Sequence, residues 1–176
     1  MIPEWFGIMI KILRIKDVFT DTIRKKLIEN CEPLLYPGDN LSDKNNFPGK
    51  YPATQTHADL YNHPKFKEAH VHLLTLINDR SKLNLKITRS WILKTTGRST
   101  DQCWHNHLDN KAEWVAVYYI KTQPYFDNGT EFEHGFIKTP QNSLLLFPAS
   151  LNHTAPKSPF RFSRYTLSLD LVDSRR

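Results

Sequence analysis

Beyond residue 83 the chain is a succession of short runs in which apolar and polar residues alternate, with turn residues between most of them. Such runs stand at 85–95, 102–107, 113–121, 130–133, 135–138, 143–147, 151–154 and 162–171. Period-two alternation sends one set of side chains to each face of a strand, and many short strands at close spacing fold as a sandwich or jelly roll. Two helical stretches precede them. Thr20 or Asp21 can cap a helix carrying Phe19, Ile23, Leu27, Cys31 and Leu34 at helical spacing, closed by Pro33 and Pro37. A second helix begins near Pro64, sets Phe66, Ala69, His70, Leu73, Leu76 and Ile77 on one face, and ends before Leu83. A short apolar strand is expected at 6–13. The run 37–52 (PGDNLSDKNNFPGKYP) reads as a polar surface loop and a candidate lid. The expected fold is mainly β, with two helices buttressing one sheet. A single domain over 1–176 is expected, in which 1–82 supplies the first strand, helices and loop, and 83–172 the β-rich core.

Composition narrows the function classes. A chain of 176 residues with 39% apolar and 12% aromatic content can bury one ordinary core without disulfide or metal staples. Lys and Arg number 24 against 18 Asp and Glu, a net charge of +6. The basic residues are spread along the chain, and the longest run, Arg24 to Lys26, falls on the solvent side of a helix. That gives little support to nucleic-acid binding. The early apolar stretch at 5–10 is too short to span a bilayer and lacks the basic leader and cleavage site of a secretory signal. Cys31 and Cys103 lie far apart and match no zinc or C-x-x-C spacing, so a reducing cytoplasm is the expected setting.

The chemistry concentrates in the second half. His107 and Asp109 are two apart at the end of a strand run, and His153 follows on another, so two imidazoles and a carboxylate can converge inside the roll. That donor set is the facial triad of non-haem iron(II) oxygenases, which leaves three metal positions open. With eight histidines an H-x-D triplet alone is a weak signal. His57-Ala58-Asp59 has the same spacing but precedes a helical stretch, where Asp59 suits a cap. His70 and His72 diverge on a helix and read as packing or surface residues, and His134 as surface. In the last run Tyr165, Leu167, Leu169 and Leu171 alternate with Arg164, Thr166 and Ser168. An inward Arg needs a partner. A dicarboxylate would supply one, since the guanidinium fork makes two parallel hydrogen bonds to a carboxylate and the Thr hydroxyl adds another. The alternative is an Arg facing solvent or paired with Asp170 or Glu131.

The series RSWILKTTGRSTDQCWHNHLD, WVAVYYI, NGTEF, SLLLFPASLNH and RYTLSLDL resembles the catalytic half of prolyl-hydroxylase-like iron(II)/2-oxoglutarate dioxygenases. It is most similar to a bacterial and phage branch, over residues 87–171. The resemblance implies a double-stranded β-helix, the jelly-roll barrel related to cupins. It also implies Fe(II), 2-oxoglutarate and O2 as cofactor and cosubstrates. The reaction would hydroxylate an unidentified substrate, such as a peptidyl proline, another protein side chain or a small molecule, with release of succinate and CO2. His107, Asp109 and His153 would be the iron ligands, and Arg164, assisted by Thr166 and Tyr119, the anchor for the distal carboxylate. Asn128 stands where relatives show a second Gly in the hairpin after the Tyr pair. His105 is the open member. The phage-like relatives also carry a His there, and on a regular strand His105, His107 and Asp109 share one face; the carboxylate favours His107 with Asp109, while the place of His153 and a local bend decide. Two competitors remain: a cupin-type site using His105, His107, Glu113 and a later His, and a non-catalytic binding module on the same roll.

Overall fold

The computed structural model describes residues 12–37, 53–95, 104–124, 127–156 and 162–175. Most of the strand expected at 6–13 and the lid expected at 37–52 lie outside these residues, as does Cys103. Within them the alternating pattern folds into two antiparallel sheets. The larger holds seven strands: β1 (Leu13–Ile15), β2 (Tyr36–Pro37), β3 (Ala53–Gln55), β4 (Leu85–Thr95), β5 (Trp114–Lys121), β8 (Ser143–Pro148) and β10 (Arg164–Asp173). Their spatial order is β1-β8-β5-β10-β4-β3-β2. The smaller sheet joins β6 (Gly129–Phe132), β7 (Gly135–Lys138) and β9 (His153–Thr154) in the order β7-β6-β9. Neither sheet is closed on itself.

Helix α1 (Asp21–Cys31) starts as its sequence dictates, with the Thr20 side chain accepting from the Ile23 amide. Helix α2 (Lys67–Ser81) follows a short 3-10 turn at Pro64–Phe66 and ends at Lys82 in the left-handed conformation, φ 61°. Asn78 then turns the chain into β4: its side chain accepts from the Leu85 amide and donates to the Leu85 carbonyl.

Both helices cover one face of the large sheet, where Leu27, Cys31, Phe66, Leu73 and Ile77 pack against Ile92, Ala116, Tyr118, Ile120, Leu144, Leu146, Leu167 and Leu169. The other face carries a second, smaller core of Val115, Tyr119, Phe132, Leu145, Phe147 and Ala149 between the two sheets. Strands β5, β8 and β10 therefore feed two cores, and period two decides which residue goes to which. The odd residues of β10 face the helices. Its even residues, Arg164, Thr166, Ser168 and Asp170, face the interval between the sheets.

Three details depart from the sequence expectations. The run expected as a strand at 102–107 contributes only an isolated bridge at His105 among its described residues, and the chain then enters a 3-10 turn at Leu108–Asn110. Two short strands, β2 and β3, extend the sheet beyond β4 where the sequence shows too few residues for an alternation to register. Ile23 is exposed although it falls on the apolar face of α1.

Asn142 holds a corner of the fold. It has φ 62°, accepts through its side chain from the Phe19 amide and the Tyr118 hydroxyl, and donates to the Phe19 carbonyl. It ties the start of α1 to the turn before β8. Just before β6, the Asn128 side chain makes a reciprocal pair of bonds with the Gln123 backbone, accepting from its amide and donating to its carbonyl. Gly129 follows, and a Cβ there would lie 2.1 Å from the Ile137 carbonyl oxygen. Gly129→Ala should therefore cost about 2 kcal/mol or more by overpacking, read as a lower urea midpoint with an unchanged denaturant slope.

Candidate active site

His105 and His153 are joined directly by backbone. The His105 amide donates to the His153 carbonyl at 3.1 Å, and the His153 amide returns the bond at 2.9 Å. Two residues on, the His107 amide donates to the Ala149 carbonyl at 3.0 Å. The segment 105–107 thus runs antiparallel to 149–153, and it remains extended long enough for His105 and His107 to share a face. Their rings and that of His153 form a tight group, with centroids 4.4 Å (105 to 153), 5.2 Å (107 to 153) and 5.4 Å (105 to 107) apart. The ligand atoms of the three lie within 4.8 Å of one another, close enough to meet on one ion.

Each of the two buried rings is oriented from behind. Nδ1 of His153 lies 2.9 Å from the Leu151 carbonyl, which fixes the proton on Nδ1 and leaves Nε2 as the lone-pair donor. Nδ1 of His107 lies 2.6 Å from Oδ1 of Asp170, with the same consequence. Trp91 stacks on His107 at 5.8 Å, and Phe147 meets His153 edge-on at 4.8 Å. Burial, reinforced by the neighbouring His105, pushes the His153 pKa down from 6.5 to about 3, so that ring is neutral at physiological pH. Neutral imidazoles with their second nitrogen engaged are what a divalent transition metal binds. The donor set fits such an ion.

Asp109 is not in this group. At His107 the backbone bends, with φ −115° and ψ 19°, and the 3-10 turn that follows carries Asp109 to an exposed position. The period-two argument that paired it with His107 holds only while the strand lasts, and here it ends at His107. The other histidines behave as read. His134 is exposed in the turn between β6 and β7. His70 is buried with Nδ1 on the Phe66 carbonyl, and the His72 ring packs at a tilt against Phe19. Asp59 stands at the start of the 3-10 turn Leu60–Asn62 and is exposed, though its side chain makes no cap bond.

Arg164, Thr166 and Tyr119 meet between the sheets. Thr166 sits opposite Tyr119 in the register of β10 and β5, and the Tyr119 hydroxyl lies 2.6 Å from Oγ1 of Thr130. Arg164 is only 6% exposed, and among the described residues no carboxylate forms an ion pair with it. Glu131, one partner considered from sequence, is exposed, and Asp170, the other, is bonded to His107. Burial lowers the Arg164 pKa from its ordinary value, while the nearby Tyr119 opposes that. A buried guanidinium without an anion is costly, and a ligand carboxylate would offset the cost.

Sequence reasoning missed Asp170 as a functional neighbour. The signal was present, because Asp170 shares the parity of Arg164, Thr166 and Ser168, but which carboxylate or imidazole it meets depends on a loop sixty-three residues away.

No protein-family model matches the sequence, and no curated protein is similar to it. Solved structures are. HygX from Streptomyces hygroscopicus, solved with nickel and 2-oxoglutarate bound, superposes with a TM-score of 0.68 at 14% identity, over 94% of this chain and 84% of that one. AviO1 from Streptomyces viridochromogenes gives 0.70 at 14% identity, over 94% and 90% of the two chains. A prolyl-4-hydroxylase from Pseudomonas putida gives 0.65 at 12% identity, over 92% of each. The fold is the double-stranded β-helix. The likeness to the oxygenases named from the sequence motifs is thus borne out at the level of fold.

His153 and His70, whose pKa values burial pushes down to about 3 and about 4, link stability to pH in the metal-free protein. Unfolded, each takes up a proton near pH 6.5; folded, neither does until far lower pH, so stability is complete above pH 6.5 and is lost as pH falls below it. Between pH 6.5 and 5 the loss should be about 2 kcal/mol per histidine, measured by urea unfolding, and His70→Gln should remove roughly half of it.

Proposed function

We propose that the chain is an Fe(II)- and 2-oxoglutarate-dependent oxygenase in which His105, His107 and His153 hold the iron. Arg164, with Thr166 and Tyr119, holds the distal carboxylate of the keto acid. The observation that carries this reading is the pairing of a three-imidazole cluster with a buried Arg that has no carboxylate ion-pair partner among the described residues, both in the interval between the two sheets. His107 and His153 are the ligands expected from sequence; His105 joins them as the third donor, and Asp109 stands outside the set.

When bound, the iron and 2-oxoglutarate would supply the oxidation with O2 as the oxidant: one oxygen atom of O2 would end in succinate as the diacid loses CO2, and the other would pass to the substrate. The chain's part is to hold and shield. Arg164 would bind the far carboxylate through two parallel N–H groups, assisted by the hydroxyls of Thr166 and Tyr119. Trp91, Phe132 and Phe147 surround the imidazoles with apolar surface, which keeps the rings in place and water out.

The primary substrate is a protein side chain or a small molecule. Proteins sharing the fold include a prolyl-4-hydroxylase and HygX solved with hygromycin B bound. The reading keeps 1–176 as one domain with 83–172 as its catalytic core. It places the protein in a reducing cytoplasm, supported by cysteine usage; no helix among the described residues is long and apolar enough to cross a membrane. A cupin-type metal protein is the second reading, favoured by the three imidazoles. Its fourth donor, Glu113, instead accepts from the Asp173 amide and stands outside the cluster.

Anaerobic addition of iron(II) and 2-oxoglutarate should give the weak visible charge-transfer band of the chelate. His105→Ala should abolish the band, whereas Asp109→Ala should retain it. Arg164→Ala should weaken 2-oxoglutarate by about 2–5 kcal/mol, thirtyfold or more, with little effect on metal uptake. A band that survives His105→Ala and is lost in Asp109→Ala would return the carboxylate to the ligand set.

A further inference from the structure

Asp170 is fully buried, yet among the described residues only one of its two carboxylate oxygens has a hydrogen bond. Oδ1 accepts from Nδ1 of His107 at 2.6 Å. Among the described residues Oδ2 has no hydrogen-bond partner, and the cation facing it, Nη1 of Arg89, is 3.9 Å away on a side chain that is 41% exposed and lies over Trp91. The backbone beneath is pinned. Between Asp170 and Leu171 the register with β4 shifts by one residue, and the Thr88 hydroxyl in that bulge donates to the Asp170 carbonyl. A carboxylate held this rigidly with so little compensation is expensive in the metal-free fold.

The cost has an explanation in charge. Two imidazoles and a carboxylate give a metal one negative charge, whereas three neutral imidazoles give none. His105-Asn106-His107 has the spacing of an H-x-D motif with an imidazole in the carboxylate's place, and it is that imidazole, not His153, that Asp170 backs. His153 has only a neutral carbonyl behind it. The missing charge therefore stands at the same corner of the site, one hydrogen bond further out. We infer that Asp170 is a positioning residue that supplies through His107 the negative charge an iron-bound carboxylate would otherwise provide. This rests on the reading that His105, His107 and His153 hold the metal.

Asp170→Asn separates charge from orientation, because the amide oxygen can still accept from Nδ1 of His107. Calorimetry of the metal-free protein with Ni(II), and with Fe(II) under anaerobic conditions, should show affinity reduced 10–100-fold. The metal-free melting temperature should be unchanged or higher, since a buried charge has been removed. A merely structural tie would show the reverse: a lower melting temperature and metal affinity equal to that of the parent, which overturns the inference. The second pair of variants holds if Asp170→Asn fails to fold. In His107→Asp two carboxylates would face each other, so adding Asp170→Asn to it should raise metal affinity at least tenfold. An affinity of the double variant equal to or below that of His107→Asp overturns the inference. Absence of metal uptake by the parent protein would instead overturn the oxygenase reading beneath it, along with any role of Asp170 toward a metal.

Discussion

Strand β10 lies between β4 and β5 in the middle of the large sheet, and everything functional hangs on its alternation. Tyr165, Leu167, Leu169 and Leu171 are committed to the helices, and that apolar burial is the dominant favourable term. With those four side chains anchored, Arg164, Thr166 and Asp170 have no choice of face. A one-residue slip would put the guanidinium and the carboxylate into the helix-side core and three leucines between the sheets. The polar face, which in isolation would oppose folding, is thus held in place by the apolar face of the same strand.

The second constraint is the reciprocal backbone pair between His105 and His153. It brings a loop and the two-residue strand β9 into register with so few ladder bonds that neither is a regular sheet element. Side chains reinforce it: Asn106 donates to Asn152, and Asn152 to Glu133. A site built on short, irregular backbone needs support from rigid neighbours. Trp91 on β4, Phe147 on β8 and Asp170 on β10 supply it by gripping the imidazoles from three strands of the large sheet.

How much of this the sequence discloses depends on the range over which each contact is decided. Strands β4, β7 and β10, helix α1 with its Thr20 cap, and the inward set on β10 follow from local alternation and capping, and they were readable. So was the convergence of His107 with His153, because both sit at strand ends. The bend after His107 was not readable. Its bonds are local, with the Asn106 side chain accepting from the Leu108 amide and the Asn110 and Lys111 amides donating to the His107 and Leu108 carbonyls, but a lone Asn between two histidines does not say where the extended run stops. That bend exchanges Asp109 for His105. The partner of Asp170 was equally hidden, since parity showed which way it faces but not what lies there. The imidazoles gather as in the three-histidine pattern behind the cupin alternative, and the buried Arg164 stands on the inward face of β10 that the oxygenase resemblance points to.

The central claim is that three imidazoles, and no side-chain carboxylate, hold the iron. X-ray absorption of the anaerobic Fe(II)-loaded protein counts histidine ligands by the multiple scattering of their rings. The account predicts three imidazoles, with the remaining positions filled by solvent or by 2-oxoglutarate when it is added. Two imidazoles and a protein carboxylate, with the spectrum altered by Asp109→Ala and indifferent to His105→Ala, would contradict it.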